Sequence, residues 1–300
     1  WNPISGMDTS FCRPPDAPFW ASRSAAARSR DSRGARYNRS ASQRVISVVI
    51  CSVTPAKYEA VCASYARCLA GTPSEIVGIH DARSLCEGFN RGMRQAKGEV
   101  LVFSHDDVEH LAPALGPVLD RHLRRADVVG VAGTTRLVGM NWASSGIRHA
   151  HGIVTHPAGA QFEVSLYGVT APLMQGTQAL DGVFFATHRE VAETIRFDED
   201  TFDGWHGYDI DFTYRCHEAG LRVAVAFDIP LVHYSSGGVD EAWLKYDARF
   251  RAKHGSAVVG PYGRWLEVKM RVQTIGDVLG AYKLQELVEL TETARERARS

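Results

Sequence analysis

The residues best suited to chemistry fall in three short stretches of the 300-residue sequence. Ser104-His105-Asp106-Asp107 follows Glu99–Phe103, a mostly apolar run that reads as a strand. An extended chain turns residues i and i+2 to one face, so His105 and Asp107 point together while Asp106 turns away. An imidazole with a carboxylate suits a divalent cation, Mn²⁺ more than Mg²⁺, because Mg²⁺ favours oxygen ligands alone. Capping of a helix near Leu111 by Asp106 and Asp107 is the plain alternative. The second stretch runs from Asp203 to Asp211 and places Asp209 at a helix N-terminus, where its carboxylate is favoured as the anion and stays able to accept a proton. Asp211 and Arg215 lie four apart on that helix and read as an ion pair. In the third, His233 follows the apolar run Ile229–Val232 and precedes a Ser/Gly loop; it becomes a ligand only by meeting His105 and Asp107 in space. His149, His151 and His156 form a further histidine group that could hold zinc, but no nearby cysteine or acid completes the set, and a polar loop is the simpler reading.

The elements that must position these residues begin at Val45. Val45–Cys51 is a β-branched run, the pattern of a strand buried on both faces. A helix over Lys57–Leu69 and a strand over Glu75–Ile79 follow. Ser84 with Glu87 three residues on starts a capped helix that runs to about Ala96. After the strand ending at Phe103 come a helix at about 111–124 and a strand at 127–132. This alternation predicts βαβ units and a mostly parallel α/β sheet. The pattern then loosens over 134–180, where loops and antiparallel strands are expected, including one strand at Phe162–Tyr167. Further strands are read at Gly182–Thr187 and Arg222–Ala226, with a helix over Asp209–Ala219 between them. Two or three helices are expected after Asp240, the last over 275–299 with its charge on one face, able to mediate a homo-oligomer.

Composition narrows the class. With 45% hydrophobic and 23% charged residues the chain is an ordinary globular protein, not a fibrous or wholly disordered one. Lys plus Arg equals Asp plus Glu at 34 each, so no overall field favours nucleic acid. No apolar run approaches the roughly 18 residues of a membrane span. The six cysteines (12, 51, 62, 68, 86 and 216) contain no CxxC pair and read as reduced, which points to a cytoplasmic protein. The zero net charge hides an imbalance: residues 1–44 hold eight Arg and three acids. That Ser/Arg/Ala stretch has little to bury and is expected to be disordered, as an unstructured leader, a transit peptide or an anion-binding arm.

Taken in order, Ser47-Val48-Val49-Ile50, Asn90-Arg91-Gly92 with Ala96 and Gly98, and Val102-Phe103-Ser104-His105-Asp106-Asp107-Val108 resemble the nucleotide-sugar half of family 2 glycosyltransferases with the GT-A fold. His105 replaces the first acid of that family's Asp-x-Asp metal motif, as in a His-x-Asp subgroup. Asp181-Gly182-Val183-Phe184-Phe185 is similar to the family's acceptor-side strand. Trp205-His206-Gly207-Tyr208-Asp209-Ile210-Asp211 resembles its Glu-Asp-x-Asp helix, with Tyr208 in the place of Glu. The resemblance covers about 45–240, split into a donor half (45–133) and an acceptor half (134–240), with 241–300 as a helical extension. It implies a nucleoside-diphosphate sugar, UDP favoured, bound near Ser52, Thr54, Asp81, Arg83, Ser84, Asn90 and Asp106. A divalent ion would sit on Asp107 with His105 and His233. A carbohydrate or other hydroxyl acceptor would lie beside Asp181, Gly182 and Trp205, with Asp209 as base, His206 nearby, and inversion at the sugar. Two other classes stay open: another nucleotide-using α/β transferase, which should carry a Gly-rich basic loop where Ser52-Val53-Thr54-Pro55 stands, and a non-catalytic GT-A binding module, which would not need Asp107, Asp209 and His233 together.

Overall fold

The structure is a computed structural model that describes residues 44–169, 172–235, 237–255 and 267–283, with residues 258, 263, 288, 293 and 296–297 beyond them. All belong to the unit Arg39–Ser300. The expected disordered arm lies outside the described residues except for Arg44; of the helix expected over 275–299 to carry a homo-oligomer surface, the described helix that starts at Ile275 ends at Ala281, and residues 284–287 and several beyond lie outside the described residues.

The first part of the described chain follows the expected alternation. β1 (Ile46–Cys51), α1 (Pro55–Cys68), β2 (Ser74–Ile79), α2 (Leu85–Gln95) and β3 (Val100–Ser104) build a parallel trio, with β1 between β2 and β3. Ile46 to Ile50 and the whole of β3 are buried, as runs covered by helices on both faces must be. Ser84 caps α2 by accepting the Glu87 backbone N–H at 3.1 Å, while the Glu87 carboxylate takes the Arg83 N–H in place of the reciprocal bond to Ser84. Gly92 lets α2 press on β1, since a Cβ there would fall 2.2 Å from Val49 Cγ1.

Past β3 the chain departs from expectation. β4 (Val108–His110) follows Asp107 directly, and α3 (Leu115–Leu123) starts only after it with Ala114 at its N-cap, so Asp106 and Asp107 cap no helix. The strand read at 127–132 divides into β5 (Val128–Gly130) and β6 (Ala132–Thr134). The looser region holds β7 (Ala150–Ala158), β8 (Gln161–Leu166), β9 (Leu173–Gln175) and β10 (Ala179–Leu180), then β11 (Phe184–His188) and α4 (Arg189–Ile195). α5 (Tyr208–Glu218), β12 (Val223–Ala226), β13 (Leu231–His233), α6 (Glu241–His254), β14 (Val268–Val272) and α7 (Ile275–Ala281) complete the described chain.

One sheet runs β2-β1-β3-β11-β5-β12-β9; β10, β6, β7, β13 and β4 form a second, extended by β8 and β14. The first sheet is mixed: β12 is parallel to β5, but β11 lies antiparallel between β3 and β5, and β9 is antiparallel to β12. The reason is the route. The chain returns from β10 in the second sheet to the carboxyl end of β3, where Phe184 pairs with Ser104, and from there it can only run back along β3. β14 corrects the purely helical extension, because it pairs antiparallel with β8. Against the first sheet, Phe89, Phe103, Phe185, Phe197 and Phe212 cluster with ring centroids 4.5–6.3 Å apart, some stacked and some edge to face. Among the described residues no helix is long and apolar enough to cross a membrane.

Candidate active site

Strand register assembles the site. β13 pairs antiparallel with β4 so that His233 lies opposite Val108, next in chain to Asp107. The β11 route brings Asp181 to Val183 against the tip of β3, where the Val183 carbonyl accepts the His105 N–H at 3.2 Å. His105 Nδ1, His233 Nε2 and Asp107 Oδ1 form a triangle with edges of 3.1, 3.3 and 3.9 Å. Asp106 turns away, as the alternation requires, and accepts the Ser52 hydroxyl at 2.6 Å.

This donor set fits a divalent cation. Ligand atoms bonded to one metal at about 2.1 Å stand roughly 3.0–3.5 Å apart, as the 3.1 and 3.3 Å edges do, and the 3.9 Å edge closes with a small shift of either side chain. Burial alone would raise the Asp107 carboxyl, but the hydrogen-bonded His233 imidazole, with His105 beside it, holds it well below the usual carboxylate range. Burial, then the nearness of His233, lowers His105, which favours the neutral imidazole that ligates. Lys57, which the sequence reading missed, reaches Asp107 Oδ2 at 3.4 Å from the first turn of α1.

The opposite wall belongs to the start of α5. Asp209 Oδ2 accepts the Gly182 N–H at 2.7 Å, and Asp181 is held by Trp142 Nε1–H at 2.6 Å and the Val183 N–H at 2.8 Å. Gly182 must be glycine here: a Cβ would fall 2.0 Å from the Tyr208 hydroxyl and 2.9 Å from Asp209 Cβ. Burial and then the Asp181 carboxylate push Asp209 up to about 7, against backbone N–H groups that pull it down. This corrects the expectation of a carboxylate kept low by its helix terminus: the terminal N–H groups oppose the shift and lose. His206 stands at the mouth, its Nε2 3.9 Å from Asp240, and Trp205 is half exposed beside it. Asp211 serves structure, fully buried and bonded to Arg215, Lys253 and His254, which fastens α6 to α5.

One cavity of about 900 Å³ joins these groups; Ser52, His105, Asp106, Asp107, Asp181, Gly182, Trp205, His206, Asp209 and His233 all line it. The other expected donor residues lie off its wall. Asn90 is spent on the chain at 197–199: its amide donates to the Phe197 carbonyl and to Glu199, and accepts the Phe197 N–H. Asp81 pairs with Arg91 on the surface, Ser84 is the buried helix cap, and Arg83 and Thr54 are absent from the lining. Their apolar neighbours Val53, Ala82 and Leu85 line the cavity instead, and nothing in the sequence marks them. Tyr167, Glu163, Glu267 and Lys269 were also missed, because only the pairing of β7, β8 and β14 brings them to the wall. Tyr208 had a signal, its place beside Asp209 in the motif, but no role was read for it. The histidines at 149, 151 and 156 have separate partners (Thr135, the Gly168 carbonyl, and the carbonyls of His233 and Ser235) and form no shared site.

A search of curated proteins finds no match. Among solved structures, the mannosyltransferase PcManGT from Pyrobaculum calidifontis in complex with GDP-Man and Mn²⁺ is similar at 14% identity and TM-score 0.44, over 92% of this chain and 83% of that one. GalNAc-T7 with UDP, GalNAc and Mn²⁺ gives 15% and 0.42, over 74% of this chain and 52% of that one. A197 from STIV gives 11% and 0.39, over 65% and 87%. A profile described as a glycosyltransferase-like family matches residues 47–256, from β1 through α6 and across every wall of the cavity except β14. The chain belongs to that glycosyltransferase-like family and is an α/β enzyme of the glycosyltransferase class.

Proposed function

We propose that the protein transfers a sugar, with inversion and with help from a divalent cation, from a nucleoside diphosphate to an acceptor hydroxyl. The observation that carries this is the pairing, in one cavity, of a carboxylate held low beside two imidazoles with a second carboxylate pushed up to about 7. Two acids whose surroundings drive them apart are suited to opposite tasks. His105, Asp107 and His233 would hold the cation, Mn²⁺ in preference to Mg²⁺ because two of the three ligands are imidazole nitrogens. Bound there, it would neutralise charge on the departing diphosphate.

The chain's own residues supply the rest. Asp209 takes the proton from the acceptor hydroxyl as its oxygen bonds to the anomeric carbon. The bond from that carbon to the diphosphate oxygen breaks on the opposite face, and its electron pair leaves with the nucleoside diphosphate. A base near 7 is well matched to neutral pH. Ser52 and Asp106 face the donor, UDP-sugar being the favoured class; Asp181, Gly182 and Trp205 face the acceptor, a carbohydrate or another hydroxyl compound. The test is a thermal-shift screen of UDP-, GDP- and dTDP-sugars with and without Mn²⁺. A donor at about 100 times its Kd adds about 2.7 kcal/mol. Stabilisation by one donor class only when Mn²⁺ is present is the expected result; no response to any donor refutes the reading.

A further inference from the structure

The Tyr208 hydroxyl lies 2.8 Å from His105 Nε2 and 3.3 Å from the carbonyl oxygen of Gly182. Its ring is buried against Phe89 and Phe197, with centroids 5.4 and 6.5 Å away, so the hydroxyl is fixed in place. On the far side of the same imidazole, Nδ1 faces His233 Nε2 at 3.1 Å.

A neutral imidazole carries one proton, and two wirings satisfy these contacts. In the first, Nδ1–H points into the triad and Tyr208 donates its proton to Nε2, leaving His105 no lone pair toward a cation. In the second, Nε2–H donates to the Tyr208 oxygen, Tyr208 donates to the Gly182 carbonyl, and the Nδ1 lone pair faces Asp107 and His233. The carbonyl breaks the tie, because it can only accept. A tyrosine proton directed at Gly182 leaves an oxygen lone pair for His105, and His105 must then donate from Nε2.

We propose that Tyr208 is the positioning residue of the cation site: it holds His105 in the Nε2–H tautomer and so presents Nδ1 to the ion. Partners of this kind behind a metal-bound histidine fix both tautomer and ring orientation. The inference rests on the triad being a cation site. It also gives a physical reason for tyrosine at this place, where a carboxylate would have no proton to give Gly182. Gly182 donates its N–H to Asp209, so one residue anchors the metal ligand's partner and the proposed base.

The test is Mn²⁺ binding to the full chain, by calorimetry or electron paramagnetic resonance, in a double-mutant cycle of Tyr208→Phe and His105→Asp. Tyr208→Phe keeps the packed ring and should weaken Mn²⁺ about 10- to 100-fold. In the His105→Asp background the same change should have little effect, because a carboxylate has no tautomer to set. Equal weakening in both backgrounds would show that Tyr208 acts through packing, and no weakening in either would show that it does nothing; each overturns the proposal alone. A wild-type chain that binds no Mn²⁺ overturns the cation reading and this proposal with it. With Zn²⁺ as a diamagnetic probe, ¹⁵N NMR should show His105 protonated at Nε2; protonation at Nδ1 is the opposing result.

Discussion

The tip of β3 and the first turn of α5 face each other across one cavity, each offering a carboxylate, and the two acids behave in opposite ways. Asp107 is surrounded by groups that welcome its negative charge: two imidazoles and the Lys57 ammonium. Asp209 has backbone N–H donors but shares its pocket with Asp181, and burial with that like charge outweighs the donors. Surroundings, not residue type, thus set the two acids apart: one is held as an anion, while the other is pushed toward neutral pH, which is the division the proposed mechanism uses.

The sharpest way to break this contrast is Asp107→Ala, which should abolish Mn²⁺-dependent donor binding by thermal shift with the fold kept. Unchanged donor affinity would place the cation elsewhere. Asp209→Asn should cost turnover about 10²-fold or more, measured as sugar transfer, with donor affinity nearly unchanged. The two substitutions should therefore separate binding from chemistry.

The pH dependence sharpens the contrast further. As base, Asp209 must be ionised, so wild-type turnover should rise as pH increases through about 7. Its effect on stability has the reverse sign. A carboxyl raised above its unfolded value holds its proton more tightly when folded, so wild-type stability should fall as pH rises from the ordinary carboxylate range through about 7. Asp209→Asn removes that loss and should melt higher than wild type at pH 8, with a smaller gap at pH 4. Equal gaps at both pH values would show that Asp209 titrates normally.

Smaller effects are expected at Asn90, off the cavity wall, and at His206, at its mouth. Asn90→Ala should destabilise by about 1–3 kcal/mol in denaturant unfolding, as buried partners lose their hydrogen bonds, and leave donor affinity unchanged. Altered donor affinity would return Asn90 to the donor site. His206→Ala should have the least effect, raising acceptor KM with kcat nearly constant, since its ring sits at the mouth.

The fold from β1 to β3 was legible because its signals are local. β-Branched runs gave β1 and β3, the Ser84/Glu87 spacing gave the start of α2, and i, i+2 alternation placed His105 with Asp107. The region after β3 depends on long-range pairing. Nothing near Phe184 shows that β11 runs antiparallel between β3 and β5, and nothing near Lys269 shows that it meets a cavity built around residue 105. Asn90 shows the same limit: it lies on α2 as expected, but the partners its amide takes are 107 and 109 residues away. The place of Asp209 at the start of α5 was read from the sequence, yet its ionisation was misjudged because Asp181 is distant in sequence.

β14 carries a practical consequence. It covers all of β8 but its first residue, from Val268 opposite Leu166 to Val272 opposite Phe162. A chain trimmed at residue 256, where the family likeness stops, would leave the backbone N–H and C=O groups on that side of β8 without a protein partner. Such an open edge invites pairing with another copy and so aggregation. The shortened protein would also lose Glu267 and Lys269 from the cavity wall. Insolubility or altered acceptor choice in such a fragment would then reflect the cut, not the enzyme.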